Sequence, residues 1–312
     1  MDAIRTVCIL FPMRILVTGG TGFIGSNLSR ALVEAGHDVA ITGNASEQRI
    51  PGFKGKVFYI GISGIPFTQL GKIDAIFHQG AIADTTIHDR DEMFRANVGT
   101  SKKLFLYAAR HEAKYIIYAS STAVYGNLPV PYREDGPIAP LNPYGESKAA
   151  LDTFAMQFAR KHPTIRVVGL RYCNVYGPGE AHKGTMANMI YQLAQQMRDG
   201  NPKLFKWGEQ KRDYIYIKDV VRANIMSLDA TESTVLNCTG GESTSFNDIV
   251  KLLNKVIGLH RVPEYMDNPH GNYYQNRIEC DISRIKAVTG FVPKYNLARG
   301  IQDYFDSGFL LR

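Results

Sequence analysis

Apolar positions in the first half of the chain come in short unbroken blocks, separated by stretches of helical spacing. Arg14–Thr18 (RILVT) is one such block, rich in branched residues, which predicts a strand buried on both faces of a parallel sheet. Residues 26–35 follow, with Leu28, Ala31 and Leu32 on one helical face. Further blocks at 37–42, 56–60, 74–78, 114–119 and 164–170 predict five more strands. Between them, 94–111 reads as one long helix, and another starts at Pro143 and runs through Ala150, Phe154 and Phe158. Proline suits a first helical turn, where its missing N–H is not needed. Strands alternating with helices make an α/β fold, a doubly wound parallel sheet. Downstream, helices over 187–197, 245–257 and 297–305, two strands flanking a turn within 203–214 and a strand at 235–239 predict a smaller C-terminal α/β domain that binds substrate. The expected organisation is an extension at 1–12, a first domain over 13–174 and a second mainly over 175–312, with about 212–240 returning to the first.

Between the first strand and first helix lies Gly19-Gly20-Thr21-Gly22-Phe23-Ile24-Gly25. Gly19 permits a tight turn, Gly22 lets the backbone approach a pyrophosphate, and Gly25 lets the helix pack closely on the strand. The helix N-terminus then faces phosphates. Strand, glycines, helix and second strand in that order mark a Rossmann-type dinucleotide-binding domain. Its expected cofactor contacts are Gly19, Gly22, Phe23, Ile24 and Gly25. The second strand ends in Thr42-Gly43-Asn44, with no acid for a ribose 2′-hydroxyl, and Arg49 lies a few residues on. That favours tightly bound NADP, with Asn44 beside it, and does not exclude NAD. Small residues after the fourth strand, in Gln79-Gly80-Ala81, leave room for the cofactor, and Asp84 and Thr85 follow beside the substrate. Asn97 is placed to brace the next strand near the cofactor.

Composition narrows the class. The chain has 312 residues, 21% of them charged, with a net charge of +7. This suits an enzyme with an anionic small-molecule substrate; no Lys/Arg run or groove-binding motif points to nucleic acid. The four cysteines (Cys8, Cys173, Cys238, Cys280) are scattered in sequence and include no C-x-x-C. They predict neither a disulfide framework nor a metal site and fit a reducing cytoplasm. No apolar run reaches membrane-spanning length. Residues 128–142 are polar and proline-rich, a surface loop able to act as a lid.

The chemistry centres on Tyr144-Gly145-Glu146-Ser147-Lys148. A tyrosine four residues before a lysine shares its helical face. Beside a nicotinamide the ammonium would lower the phenol's pKa, letting Tyr144 exchange a proton near neutrality. Upstream, Ser120-Ser121 at the end of the fifth strand can hold a sugar hydroxyl or ketone oxygen.

Together, the glycine turn, Ser120-Ser121 and Tyr144 to Lys148 resemble the extended short-chain dehydrogenase/reductase family, in particular its nucleotide-sugar epimerases. The resemblance covers nearly the whole chain from Met13. It implies that Tyr144 is an acid/base, that Lys148 holds the nicotinamide ribose and that Ser121 supports the reacting oxygen. It also implies that Arg171-Tyr172-Cys173-Asn174 closes the cofactor site at Tyr172 and opens the substrate site at Asn174. Gly61-Ile62-Ser63 lacks the acid that many relatives set against adenine.

A cationic turn, His182-Lys183-Gly184-Thr185-Met186-Ala187, opens the next helix and is a good anion site. It resembles the ADP-heptose 6-epimerase branch of that family, which implies that Lys183 is a second acid/base, with Thr185 and Tyr274 at the substrate. Burial or His182 would lower the lysine's pKa. Arg212 is placed for a diphosphate and Phe205 for a base, with Trp207 reading rather as packing. The expected activity is inversion of C6 of ADP-glycero-manno-heptose by transient oxidation, in a cytoplasmic homo-oligomer with no membrane partner. The alternatives are a UDP-hexose 4-epimerase, or a non-catalytic dinucleotide-binding sensor or scaffold.

Overall fold

The computed structural model describes residues 12–44, 50–60, 65, 67–84, 87, 89–269 and 275–312. The strands run β1 (Arg14–Thr18), β2 (Asp38–Gly43), β3 (Lys56–Tyr59), β4 (Ala75–His78), β5 (Tyr115–Ser121) and β6 (Arg166–Tyr172). Next come the short β7 (Val175–Tyr176), β8 (Lys203–Phe205), β9 (Lys211–Asp213) and β10 (Ile215–Tyr216), then β11 (Thr234–Cys238), β12 (Ser243–Ser245) and β13 (Glu264–Met266). The helices are α1 (Phe23–Glu34), α2 (Phe67–Leu70), α3 (Arg90–Phe94), α4 (Thr100–Arg110), α5 (Pro143–Lys161), α6 (Met189–Asp199), α7 (Ile217–Met226), α8 (Phe246–Ile257), α9 (Ser283–Thr289) and α10 (Leu297–Asp306).

Seven strands form one parallel sheet in the order β11-β6-β5-β4-β1-β2-β3. The order reverses between β1 and β4, and a crevice opens beyond their carboxyl ends. Side chains alternate across the sheet. Ile15, Val17, Phe77, Ile117 and Val168 enter one core, where α1 packs against α7. Leu16, Ile76, Ile116, Tyr118 and Val167 enter the other, with residues of α4 and α5. Burial on both faces is what made these strands read as unbroken apolar blocks.

Several elements differ from the sequence reading. The helix expected over 94–111 is two helices, α3 and α4, joined by a π-turn at Arg95–Gly99 that holds Asn97. The two strands expected within 203–214 are β8 and β9; β8 runs parallel to β13 and β9 antiparallel to β12. The loop 128–142 is strapped down rather than free to act as a lid. Tyr132 bridges to Cys280, the Glu134 carboxylate accepts from Asn237 N (2.7 Å), and Arg133 pairs with Asp281 (2.7 Å). The same contact brings together two cysteines that the sequence had scattered: Cys173 and Cys280 are buried, free, and share one cluster.

Asp219 ties α7 to the C-terminal segment. Fully buried, it accepts from Lys294 N, Tyr295 N (2.8 Å) and Arg222 Nη1 (2.6 Å). Asp219→Ala leaves two backbone donors and a largely buried guanidinium without their acceptor. The expected loss is about 3 kcal/mol, seen as a lower urea midpoint at unchanged slope.

Candidate functional site

The glycine turn fits closely around the crevice. Gly19 has φ +64°, and a Cβ there would lie 2.7 Å from Gly80 Cα. At Gly25 a Cβ would meet Gly19 O at 2.1 Å, so α1 packs on β1 only through glycine. Gly19, Gly22, Asn44, Gln79, Gly80 and Ala81 line a cavity of about 260 Å³ at this turn. A main-chain cradle that side chains would fill suits a dinucleotide's phosphates.

A larger cavity of about 700 Å³ adjoins it, and Gln79 and Ala81 line both. Its floor holds Ser121, Tyr144 and Lys148, with Phe23, Ile24 and Tyr172 on the dinucleotide side. The local sequence positions the pair. Asn142 caps α5 by accepting from Gly145 N (2.8 Å), Pro143 fills the first turn, and Tyr144 and Lys148 follow one turn apart. Lys148 Nζ donates to Ala119 O (2.7 Å) and stands 5.7 Å from the Tyr144 ring centroid.

Burial raises the Tyr144 phenol above its ordinary value, and a hydrogen bond with Ser121 opposes the rise. Lys148 is itself brought down to about 8 by burial, against the attraction of Asp152 one turn later. Asp152 forms a buried ion pair with Arg171 (3.0 Å) and accepts from Tyr118 Oη (3.0 Å). The sequence reading gave Asp152 no role and named Arg171 only as the start of the Arg171-Tyr172-Cys173-Asn174 stretch. It also passed over His78 at the end of β4. Burial, helped by Lys148, keeps this ring neutral, with a pKa of about 3. Ser101 Oγ donates to Asn97 O, so His78 Nε2 donates to Ser101 (2.7 Å) and Nδ1 accepts from Thr18 (2.6 Å).

Other expected residues fall into distinct places. Tyr172 donates to Gln79 Oε1 (3.1 Å) and accepts from Asn224 Nδ2 (2.8 Å), fixing the wall between the two cavities. Asn97 lines neither cavity. It braces the segment after β4, not the next strand, accepting from Ile82 N (2.8 Å) and donating to Ile82 O (3.0 Å) and Ser147 Oγ (3.1 Å). Ala83, not Asp84, lines the larger cavity. Thr85, Tyr274, Arg49 and 61–63 lie outside the described residues.

The far wall is cationic and aromatic. Asn174, Lys183, Thr185, Phe205 and Arg212 all line it. Asn174 Nδ2 is held by Asp213 O (2.9 Å). Lys183 sits on a 3₁₀ segment, Ala181–Met186, kinked at Gly184 (φ 55°), with Nζ 5.8 Å from the Phe23 ring centroid. Burial lowers its pKa and Glu180 opposes this. The guanidinium of Arg212 lies 5.8 Å from the ring centroid of Phe246, a second aromatic of the cavity that sequence spacing had assigned only to a helix start. Trp207 is 65% exposed and stands against Tyr265, away from the cavity. Among the described residues no cluster of three or more His, Cys, Asp or Glu could hold a metal ion, and no helix is long and apolar enough to cross a membrane.

Lys148 carries a pH signature in the cofactor-free protein. Burial brings its pKa in the native state down to about 8, while the unfolded chain keeps the ordinary lysine value of 10.5. The unfolded state therefore binds more protons in that window, and this group adds stability as pH rises through it. Urea midpoints measured from pH 8 to 10 should climb less steeply in Lys148→Met than in the wild type.

A family profile described as "NAD dependent epimerase/dehydratase family" matches residues 15–238. Among solved structures, the chain is 34% identical to ADP-L-glycero-D-manno-heptose-6-epimerase of Helicobacter pylori, with a TM-score of 0.87, covering 95% of this chain and 96% of that one. It is 28% identical to UDP-glucose 4-epimerase of Thermotoga maritima, solved with UDP-glucose (TM-score 0.85; 95% and 99% covered). It is 25% identical to UDP-glucuronic acid 4-epimerase of Bacillus cereus, solved with NAD (TM-score 0.82; 95% and 100% covered). The sheet order, the glycine cradle and the tyrosine–lysine pair agree with that match, and the chain belongs to the NAD-dependent epimerase/dehydratase family, among its nucleotide-sugar epimerases.

Proposed function

We propose that the protein inverts C6 of ADP-glycero-manno-heptose, with Tyr144 and Lys183 as its two acid/bases and NADP as the preferred cofactor. The observation that carries this reading is the Lys183 amine in the same cavity as Ser121 and Tyr144. A C6 carbinol is a short arm that can rotate between two proton-transfer groups while the ring stays in place. A 4-epimerase must turn the whole ring and needs one such group. The 34% identity to the Helicobacter pylori enzyme points the same way.

The bound nicotinamide supplies a hydride acceptor that becomes the donor on return. The glycine turn would hold its pyrophosphate and Lys148 its ribose. Tyr144 Oη exchanges the hydroxyl proton of one epimer, assisted by the Ser121 hydrogen bond. Lys183 Nζ exchanges the proton of the other. Arg212 and Lys203 face the diphosphate, with Phe205 and Phe246 against the base; all four line the cavity. The lean to NADP is supported by the adenosine-side cavity, whose described lining contains no carboxylate to repel a 2′-phosphate.

The test is incubation with ADP-D-glycero-D-manno-heptose beside UDP-glucose and UDP-galactose, with products resolved by NMR. Inversion at C6 of the heptose alone is expected. Inversion at C4 of a UDP-hexose would discard the heptose assignment, and no turnover of any sugar would favour a non-catalytic dinucleotide-binding protein. Tyr144→Phe and Lys183→Met should each slow the reaction by roughly 10²–10⁴-fold while cofactor absorbance persists; a normal rate in Lys183→Met would sink the two-base scheme. In direct titrations NADP should bind more tightly than NAD, and the reverse order would refute the cofactor preference.

A further inference from the structure

Lys183 has a buried carboxylate beneath it that the scheme above does not use. Glu180 is 0% exposed. Its Oε1 accepts from Gly177 N (2.9 Å) and its Oε2 from Asn188 N (2.6 Å). Those two donors lie at either end of the stretch that carries Lys183, so one side chain fastens both ends. The Glu180 backbone carbonyl also accepts from Lys183 N (2.9 Å). Asn188 is the N-cap of α6, and the second oxygen therefore sits where a helix favours negative charge. A neutral amide could not replace this group, because its NH₂ would face one of the two N–H donors.

The titratable groups facing the carboxylate are Lys183 on its own turn, Tyr304 of α10 and Tyr176 of β7. Lys183 is the cation among them. We infer that Glu180 is a positioning residue for the Lys183 amine, fixing both ends of its turn and setting a buried carboxylate on the same turn as the amine. The catalytic side of this inference rests on Lys183 acting as an acid/base; the electrostatic side does not. The pKa directions agree with the geometry. Burial lowers Lys183 and Glu180 draws it back; burial pushes Glu180 up to about 7, and Gly177 N–H, Asn188 N–H and Lys183 pull it down. Each group therefore favours the charged form of the other, and neutralising Glu180 lowers the proton affinity of Lys183.

The experiment is competitive acetylation with acetic anhydride across pH on the full-length protein with its cofactor, reading the Lys183 peptide by mass spectrometry. Glu180→Gln should move the midpoint of Lys183 labelling to lower pH; an unmoved midpoint overturns the electrostatic role. Glu180→Asp keeps the charge but reaches less far, and it also serves should Glu180→Gln fail to fold. Its midpoint should stay near that of the wild type while turnover falls roughly tenfold or more; normal turnover overturns the positioning role. The labelling needs no substrate, so a normal rate in Lys183→Met would refute the proposed function without touching the Glu180 titration.

Discussion

The contact between Gly19 and Gly80 is the constraint on which the site depends. Strand order reverses between β1 and β4, and the chain leaving β1 crosses the end of β4 with backbone against backbone. A Cβ at Gly19 would sit 2.7 Å from Gly80 Cα, so a side chain there would part the strand ends and widen the crevice. Because the two ends meet, Gln79 and Ala81 belong to the dinucleotide cradle and the larger cavity at once. Everything reactive is then arranged around that shared wall.

Polar burial does the arranging. Lys148 stands over Ala119 O, with Asp152 one helical turn on, and Asp152 is held by Arg171 and Tyr118. His78, Ser101 and Thr18 form a neutral chain behind the cradle. Each group has partners whose geometry fixes its direction, as low-dielectric surroundings require. Breaking one member leaves its partners buried without compensation, so these networks hold the reactive side chains in place more strictly than apolar packing alone.

Much of this was legible in the sequence, for identifiable reasons. Parallel strands covered on both faces leave continuous apolar blocks, and the glycine turn and Tyr144–Lys148 pair carry their geometry in their spacing. What stayed hidden depends on tertiary partners. Helical periodicity runs through Arg95–Gly99, so the π-turn at Asn97 left no trace. Glu180 and Asp152 look like surface charges until their burial is seen. Phe246 reads as one more apolar residue of an amphipathic helix, and the meeting of Cys173 with Cys280 needs the bridge at Tyr132. Helical spacing also says nothing of desolvation, which raises the Tyr144 phenol and lowers the Lys148 amine.

β11 is supplied by Thr234–Cys238, yet it completes a sheet whose other strands all end by Tyr172. During synthesis β6 must wait as an open edge while the intervening segment emerges. An unpaired apolar strand of this kind is a template for wrong pairing. The ribosome therefore releases a partly finished sheet that closes only when the later half arrives, and a fragment cut near residue 174 would keep that edge bare. The return of about 212–240 to the first domain, expected from the sequence, therefore ties completion of the sheet to a late strand.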